Sequence, residues 1–213
     1  MTPIECLFKA VIDGDAKTAR IVTADALQAG VPALDLVMEG MMPAMDEAGR
    51  RFECSEFFVP ELLLSARAMK SALELIRPIL AQTGAKPAGR VAVGTVRGDL
   101  HDIGKNLVSA MLEGAGFEVV DLGVNVAAEK FIDAVRTKDV KIVAMSALLT
   151  TTMESMRTTI EAFRTAGLRD QVRILVGGAP VTQRFADEIG ADGYSASAPG
   201  AVLLARKAMS GTA

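Results

Sequence analysis

From Val91 onward the chain repeats one pattern: a short apolar run, then a stretch with apolar residues every three or four positions. The runs are VAVGTV (91–96), FEVVDL (117–122), KIVAMS (141–146), VRILVG (172–177) and the weaker GYSA (193–196). Between them lie helical patterns such as Leu107, Val108, Met111, Leu112 and Ala115, and later Val202, Leu203, Arg206 and Ala208. Strand alternating with helix is the form of a parallel, doubly wound sheet. Right-handed crossovers leave few topologies, and the flavodoxin-like, Rossmann-like five-stranded order 2-1-3-4-5 is the expected one. Ligands of such sheets bind at the C-terminal strand ends beside the switch point, between strands one and three. The loops there read RGDLHDIG and SALLTTT.

The first part of the chain has another rhythm. Leu62, Leu63, Ala66, Met69, Leu73 and Ile76 form an apolar stripe at helical spacing. Four helices are expected, near 3–13, 16–29, 32–50 and 58–80, with Pro32 and Pro60 near helix starts. The run Met38, Met41, Met42, Met45 reads as core, since methionine fills irregular gaps. QTGAKPAG (82–89) is small and breaker-rich and reads as a linker and candidate hinge. The expected organisation is a helical cap domain at 1–88 and an α/β domain at 89–213.

Half of the 213 residues are hydrophobic, and 23 basic against 26 acidic residues leave a net charge of −3. No basic stripe is present, which argues against nucleic acid as a partner. Cys6 and Cys54 form no CxxC pair and fit a reducing compartment. The N-terminus lacks the basic start and apolar run of a signal peptide, and no apolar stretch approaches the ~20 residues of a membrane span. These features lead to the expectation of a soluble, cytoplasmic protein without a membrane partner.

His101, the one histidine of the chain, falls in the first crevice loop between Asp99 and Asp102. The loop has no GxGxxG for a dinucleotide, and the Gly98 to Gly104-Lys105 spacing fails the P-loop pattern. Met145-Ser146 stands where a phosphoacceptor receiver needs Asp, and one His with two distant Cys is a poor zinc set. Two readings of His101 stay open on the residues. One is a helix-capping or surface pair, with Asp102 as the cap of the next helix. The other is a single imidazole oriented by Asp99, able to ligate a metal already held by a macrocycle. Ser146 and the Thr150–Thr152 run read equally as a helix entry, and Gly177-Gly178 as a turn.

Asp99-Leu100-His101-Asp102-Ile103-Gly104, with Ser146-x-Leu148 and Gly177-Gly178, resembles the Asp-x-His-x-x-Gly pattern of cobalamin-binding corrinoid proteins. The resemblance spans nearly the whole chain. Gly49-Arg50-Arg51-Phe52 and Phe58-Val59-Pro60-Glu61-Leu62 are similar to the cap domain of corrinoid proteins in methylamine and methanol methyltransferase systems, and to the corresponding module of methionine synthase.

The resemblance implies cobalamin as cofactor, cycling between methylcobalamin and cob(I)alamin, with His101 as lower cobalt ligand in a base-off, His-on state. Asp99 then bonds His101, and Thr152, where methionine synthases have serine, extends the relay. Gly98, Leu100, Asp102, Ile103 and Gly104 complete the binding loop. Ser146, Leu148 and Thr150 would contact the nucleotide tail, with Gly177, Gly178 and Ala198 lining its slot. Phe52 and Val59 would cover the upper corrin face.

The implied function is a methyl carrier, the corrinoid subunit of a methyltransferase system rather than a complete enzyme. Its implied partners are a substrate-specific methyltransferase, a second acceptor methyltransferase and a reductive activase. The alternatives are a cobalamin-dependent sensor, disfavoured by the lack of an output domain, and a mutase small subunit, disfavoured by the cap.

Overall fold

The computed structural model describes residues 1–83 and 87–211. The chain divides into two compact units. Residues 84–86 of the expected linker lie outside the described residues, while Gln82 and Thr83 close a long helix.

The helical unit contains α1 (Pro3–Ile12), α2 (Ala16–Gln28), α3 (Ala33–Asp35), α4 (Met42–Glu53) and α5 (Val59–Thr83). Helix α1 starts with a capping box in which Thr2 and Glu5 satisfy each other's backbone N–H groups, and Pro3 follows at a position needing no donor. The third expected helix is broken: a π-helical turn, Leu36–Met41, joins α3 to α4. Pro43 has no N–H to donate to residue 39, and the N–H of Met42 reaches back five residues to the Val37 carbonyl.

Leu7, Leu36, Leu62, Met69 and Ile76 are fully buried here. The methionine run is only partly core: Met41 and Met45 are buried, while Met38 lies exposed. Positions 38, 41 and 45 keep helical spacing, but the extra residue of the π turn rotates Met38 off the buried face.

The second unit is a five-stranded parallel sheet in the order β2-β1-β3-β4-β5. Its strands are β1 (Arg90–Val96), β2 (Glu118–Val126), β3 (Ile142–Ser146), β4 (Arg173–Gly177) and β5 (Gly193–Ser195). The connecting helices are α6 (Ile103–Gly114), α7 (Ala128–Lys138), α8 (Glu154–Thr165) and α9 (Gln183–Ile189), with α10 (Ala198–Met209) last. Ala92, Val143 and Ile174 on the inner strands pack with Phe131, Met156 and Phe163 of α7 and α8 in one buried cluster. Each large side chain buried there is worth about 1.5–3 kcal/mol.

β1 pairs with β3 in unbroken register, ending at Thr95 opposite Ser146. Its pairing with β2 slips twice, and the second slip sets Gly94 opposite Gly123 but Val96 opposite Val126. The extra residue bulges β2 where it passes the end of β1. Among the described residues, no helix is long and apolar enough to cross a membrane.

Candidate functional site

β1 and β3 point their C-terminal ends at the same crevice, and Asp99 sits at its centre, fully buried. Its Oδ1 accepts from the backbone N–H of His101 at 3.1 Å and lies 2.7 Å from His101 Nδ1. Its Oδ2 accepts from the N–H of Leu148 at 2.7 Å, the N–H of Leu149 at 3.3 Å and Thr152 Oγ1 at 2.7 Å. Burial works to raise the pKa of Asp99. Hydrogen bonds from Thr152, Leu148 and His101 outweigh it and hold the carboxyl well below the usual carboxylate range.

An ionised carboxylate only accepts, so Nδ1 of His101 carries the shared proton. In the neutral ring that leaves the lone pair on Nε2, with the His101 side chain half exposed. The geometry presents one basic nitrogen toward solvent at the crevice. Thr152 Oγ1 also lies 2.8 Å from the Leu149 carbonyl. Its single proton therefore has two acceptors, Asp99 and Leu149.

Four further side-chain and backbone bonds hold the 97–101 loop. Thr95 Oγ1 donates to the His101 carbonyl at 2.8 Å, and Ser155 Oγ donates to the Arg97 carbonyl at 2.9 Å. The N–H of Gly98 donates to Asn125 Oδ1 at 2.8 Å, and the N–H of Asn125 donates to the Asp99 carbonyl at 2.9 Å. Sequence reasoning missed Thr95, Asn125 and Ser155. A signal existed for Asn125: asparagine after glycine inside an apolar run (LGVNV) is a poor strand residue and marks a bulge.

Leu100 is 71% exposed and Ile103 is 73% exposed, and Leu148 is also exposed beside them. Three apolar side chains around a polar ring suit a flat, largely apolar ligand. Gly104 stands in the first turn of α6 with nothing within 4 Å of where a Cβ would be. Asp102 precedes α6, its carbonyl accepting from the N–H of Asn106 and its carboxylate from the side-chain Nδ2 of Asn106. Thr152 does not cap α8. Its hydroxyl turns to Asp99, and α8 begins without a side-chain cap.

Across the crevice, a Cβ on Gly178 would lie 1.9 Å from the Ala147 carbonyl oxygen, and one on Gly177 would lie 2.9 Å from that of Ser195. These glycines let the ends of β3, β4 and β5 draw close; with a φ of 127°, Gly178 also occupies backbone space closed to other residues. Ser146 ends β3 between Thr95 and Gly177. Thr150 is exposed in the turn before Thr152, and Ala198 is buried at the start of α10.

Phe52 and Val59 are half-buried on the helical unit, near the end of α4 and at the start of α5. Arg51 reaches over the Phe57 ring between them and, with Arg50, holds the Glu47 carboxyl down to about 2.

Among the described residues, no group of three His, Cys, Asp or Glu side chains could cage a bare metal ion. A metal already held equatorially by a macrocycle needs only the one axial nitrogen that His101 offers. The donor set, the apolar rim and the glycine-lined strand ends all fit such a group.

Models of the B12 binding domain match residues 89–203 and residues 4–77. The chain belongs to the B12-binding family.

Cobalamin is therefore the cofactor of this B12-binding protein. It is 43% identical over 203 residues to the trimethylamine corrinoid protein of Methanosarcina barkeri, covering 94% of each chain. A cobalamin-binding protein from Desulfitobacterium hafniense superposes with a TM-score of 0.81 at 29% identity, covering 98% of this chain and 99% of that one. A chain of the methanol:cobalamin methyltransferase complex of Methanosarcina barkeri gives a TM-score of 0.87 at 30% identity, covering 99% of this chain and 80% of the other.

Proposed function

We propose that this B12-binding protein is the methyl carrier of a corrinoid methyltransferase system, taking a methyl group from a substrate-specific methyltransferase and yielding it to a second one. The observation that carries the reading is the half-exposed imidazole of His101, pinned through Nδ1 to a buried, ionised Asp99. The named activities of the relatives supply the system. A reductive activase would be a further partner.

Bound cobalamin would supply the cobalt atom at which the methyl group is carried. His101 Nε2 would be its lower ligand, base-off and His-on. Asp99 fixes the ring's tautomer and orientation. Thr152 sets how much negative charge Asp99 shows the ring. Donating to Oδ2 it stabilises the carboxylate; turned to the Leu149 carbonyl it leaves more negative charge on Asp99, and Oδ1 draws the proton it shares with His101 Nδ1 more strongly. Ligation and proton position are coupled in this way.

Gly98, Leu100, Asp102, Ile103 and Gly104 shape the face under the corrin, with Leu148 beside them. Ser146, Thr150, Gly177, Gly178 and Ala198 would receive the nucleotide tail. Phe52 and Val59 are assigned to the upper face in the loaded protein. Cytoplasmic methyl metabolism is the setting this reading implies.

The test is to load the protein with cobalamin and record its visible spectrum beside that of His101→Ala. A base-off, His-on spectrum lost in the variant supports the ligand; identical spectra overturn it. Adding a methylated amine with its methyltransferase should then shift the spectrum to that of the methylated cofactor. No shift with amine, betaine or methanol methyltransferases would favour a sensor.

A further inference from the structure

Asn125 adopts a left-handed backbone conformation, with φ of 52°. For a residue with a Cβ this is a costly state, and asparagine is among the few that tolerate it. It occurs inside the second slip between β1 and β2, where β2 places two residues, Val124 and Asn125, opposite the single Thr95. The slip is confined to that side, since Thr95 pairs with Ser146 of β3 in regular register.

The bulge has a local consequence. Asn125 turns both its side-chain oxygen and its backbone N–H toward the His101 loop. Oδ1 takes the Gly98 N–H at 2.8 Å and its own N–H reaches the Asp99 carbonyl at 2.9 Å. Two bonds to adjacent residues fix both the position and the rotation of that peptide segment. In a regular strand the side chain stands out of the sheet while the N–H lies in its plane, so one residue would not aim both at the same loop. Thr95, on the other side of the slip, holds the His101 carbonyl two residues further on.

We propose that Asn125 is a positioning residue for the metal-ligand loop: its strained, bulged backbone and its side chain together clamp Gly98 and Asp99, and so aim His101. This rests on the reading of His101 as the cobalt ligand. Strained backbone kept beside a functional group and satisfied by bonds only that conformation permits is the expected form of such a device.

Three variants separate the parts. Asn125→Asp keeps an acceptor and tolerance of the left-handed state. Asn125→Gly keeps the backbone and loses the side-chain bond. Asn125→Ala loses the bond and is strained. In the unloaded protein, the Gly98 amide should exchange with solvent about tenfold faster in Asn125→Gly than in wild type, the size of one hydrogen bond, and be restored in Asn125→Asp. In protein loaded with hydroxocobalamin, the ratio of His-on to His-off spectra should fall several-fold in Asn125→Gly, further in Asn125→Ala, and recover in Asn125→Asp.

Unchanged Gly98 exchange and an unchanged spectral ratio in Asn125→Gly overturn the proposal. So does loss of cobalamin uptake in Asn125→Gly and Asn125→Asp alike, which marks a merely structural residue. If His101→Ala matches wild type spectrally, the ligand reading fails instead, while amide exchange still reports the clamp by itself.

Discussion

Thr152 and Asp99 stand 53 residues apart in the chain and meet at 2.7 Å, hydroxyl to carboxylate, with Asp99 fully buried. The contact joins the loops after β1 and β3, and it makes the carboxylate of Asp99 sensitive to a group on another element.

Removing that hydroxyl should be costly and pH-dependent. Thr152→Val leaves a buried carboxylate one donor short and should lower unfolding free energy by about 1–3 kcal/mol near neutral pH, while Thr152→Ser should cost less. Asp99 titrates below its ordinary value in the folded protein, so its contribution is present above about pH 4 and is lost as pH falls through the folded value. The wild-type advantage over Thr152→Val should be flat above pH 5 and shrink in more acid solution, as read by denaturant melts at several pH values.

Gly104 has space for a side chain and sits in a helix, where glycine costs about 1 kcal/mol relative to alanine. The fold does not ask for it. Gly104→Ala should stabilise the unloaded protein by about 0.5–1 kcal/mol and weaken cobalamin uptake, because the methyl group would enter the ligand's space. Thermal melts and equilibrium binding check both signs.

Gly178→Ala should fail in the opposite way. Its methyl group would overlap the Ala147 carbonyl, and its φ suits only glycine. The expected loss is about 3 kcal/mol or more of stability, together with cobalamin uptake.

Lys105 and Asp121 form an asymmetric pair at 2.6 Å, the ammonium buried and the carboxylate half exposed. Asp121→Asn leaves a buried charge without its counter-ion and should cost about 2–3 kcal/mol. Lys105→Met leaves a carboxylate that water can solvate and should cost less than half as much. Paired denaturation curves decide the order.

The alternation of short apolar runs and helical stretches was enough to place the sheet, its strand order and the crevice. Strand ends moved by a few residues: the second strand continues past residue 122 to Val126, because Gly123 and Asn125 hide a bulged continuation. The broken helix at Leu36–Met41 was legible only as Pro43, whose effect depends on which carbonyl it strands. The Asp99 and His101 pair could be suspected from spacing, since two residues in one loop are neighbours by covalent geometry.

The features legible in the chain alone are local: period, breakers, and the loop in which the one histidine falls. These follow from backbone sterics and side-chain spacing, which act over a few residues. Which distant groups meet there depends on how the strands pair in three dimensions. Leu148 and Thr152 reach Asp99, and Asn125 reaches Gly98, because parallel pairing brings the ends of β1, β2 and β3 together. A slip of one residue in that pairing changes which atoms face the loop; the asparagine in LGVNV marks the bulge, but not the groups it meets.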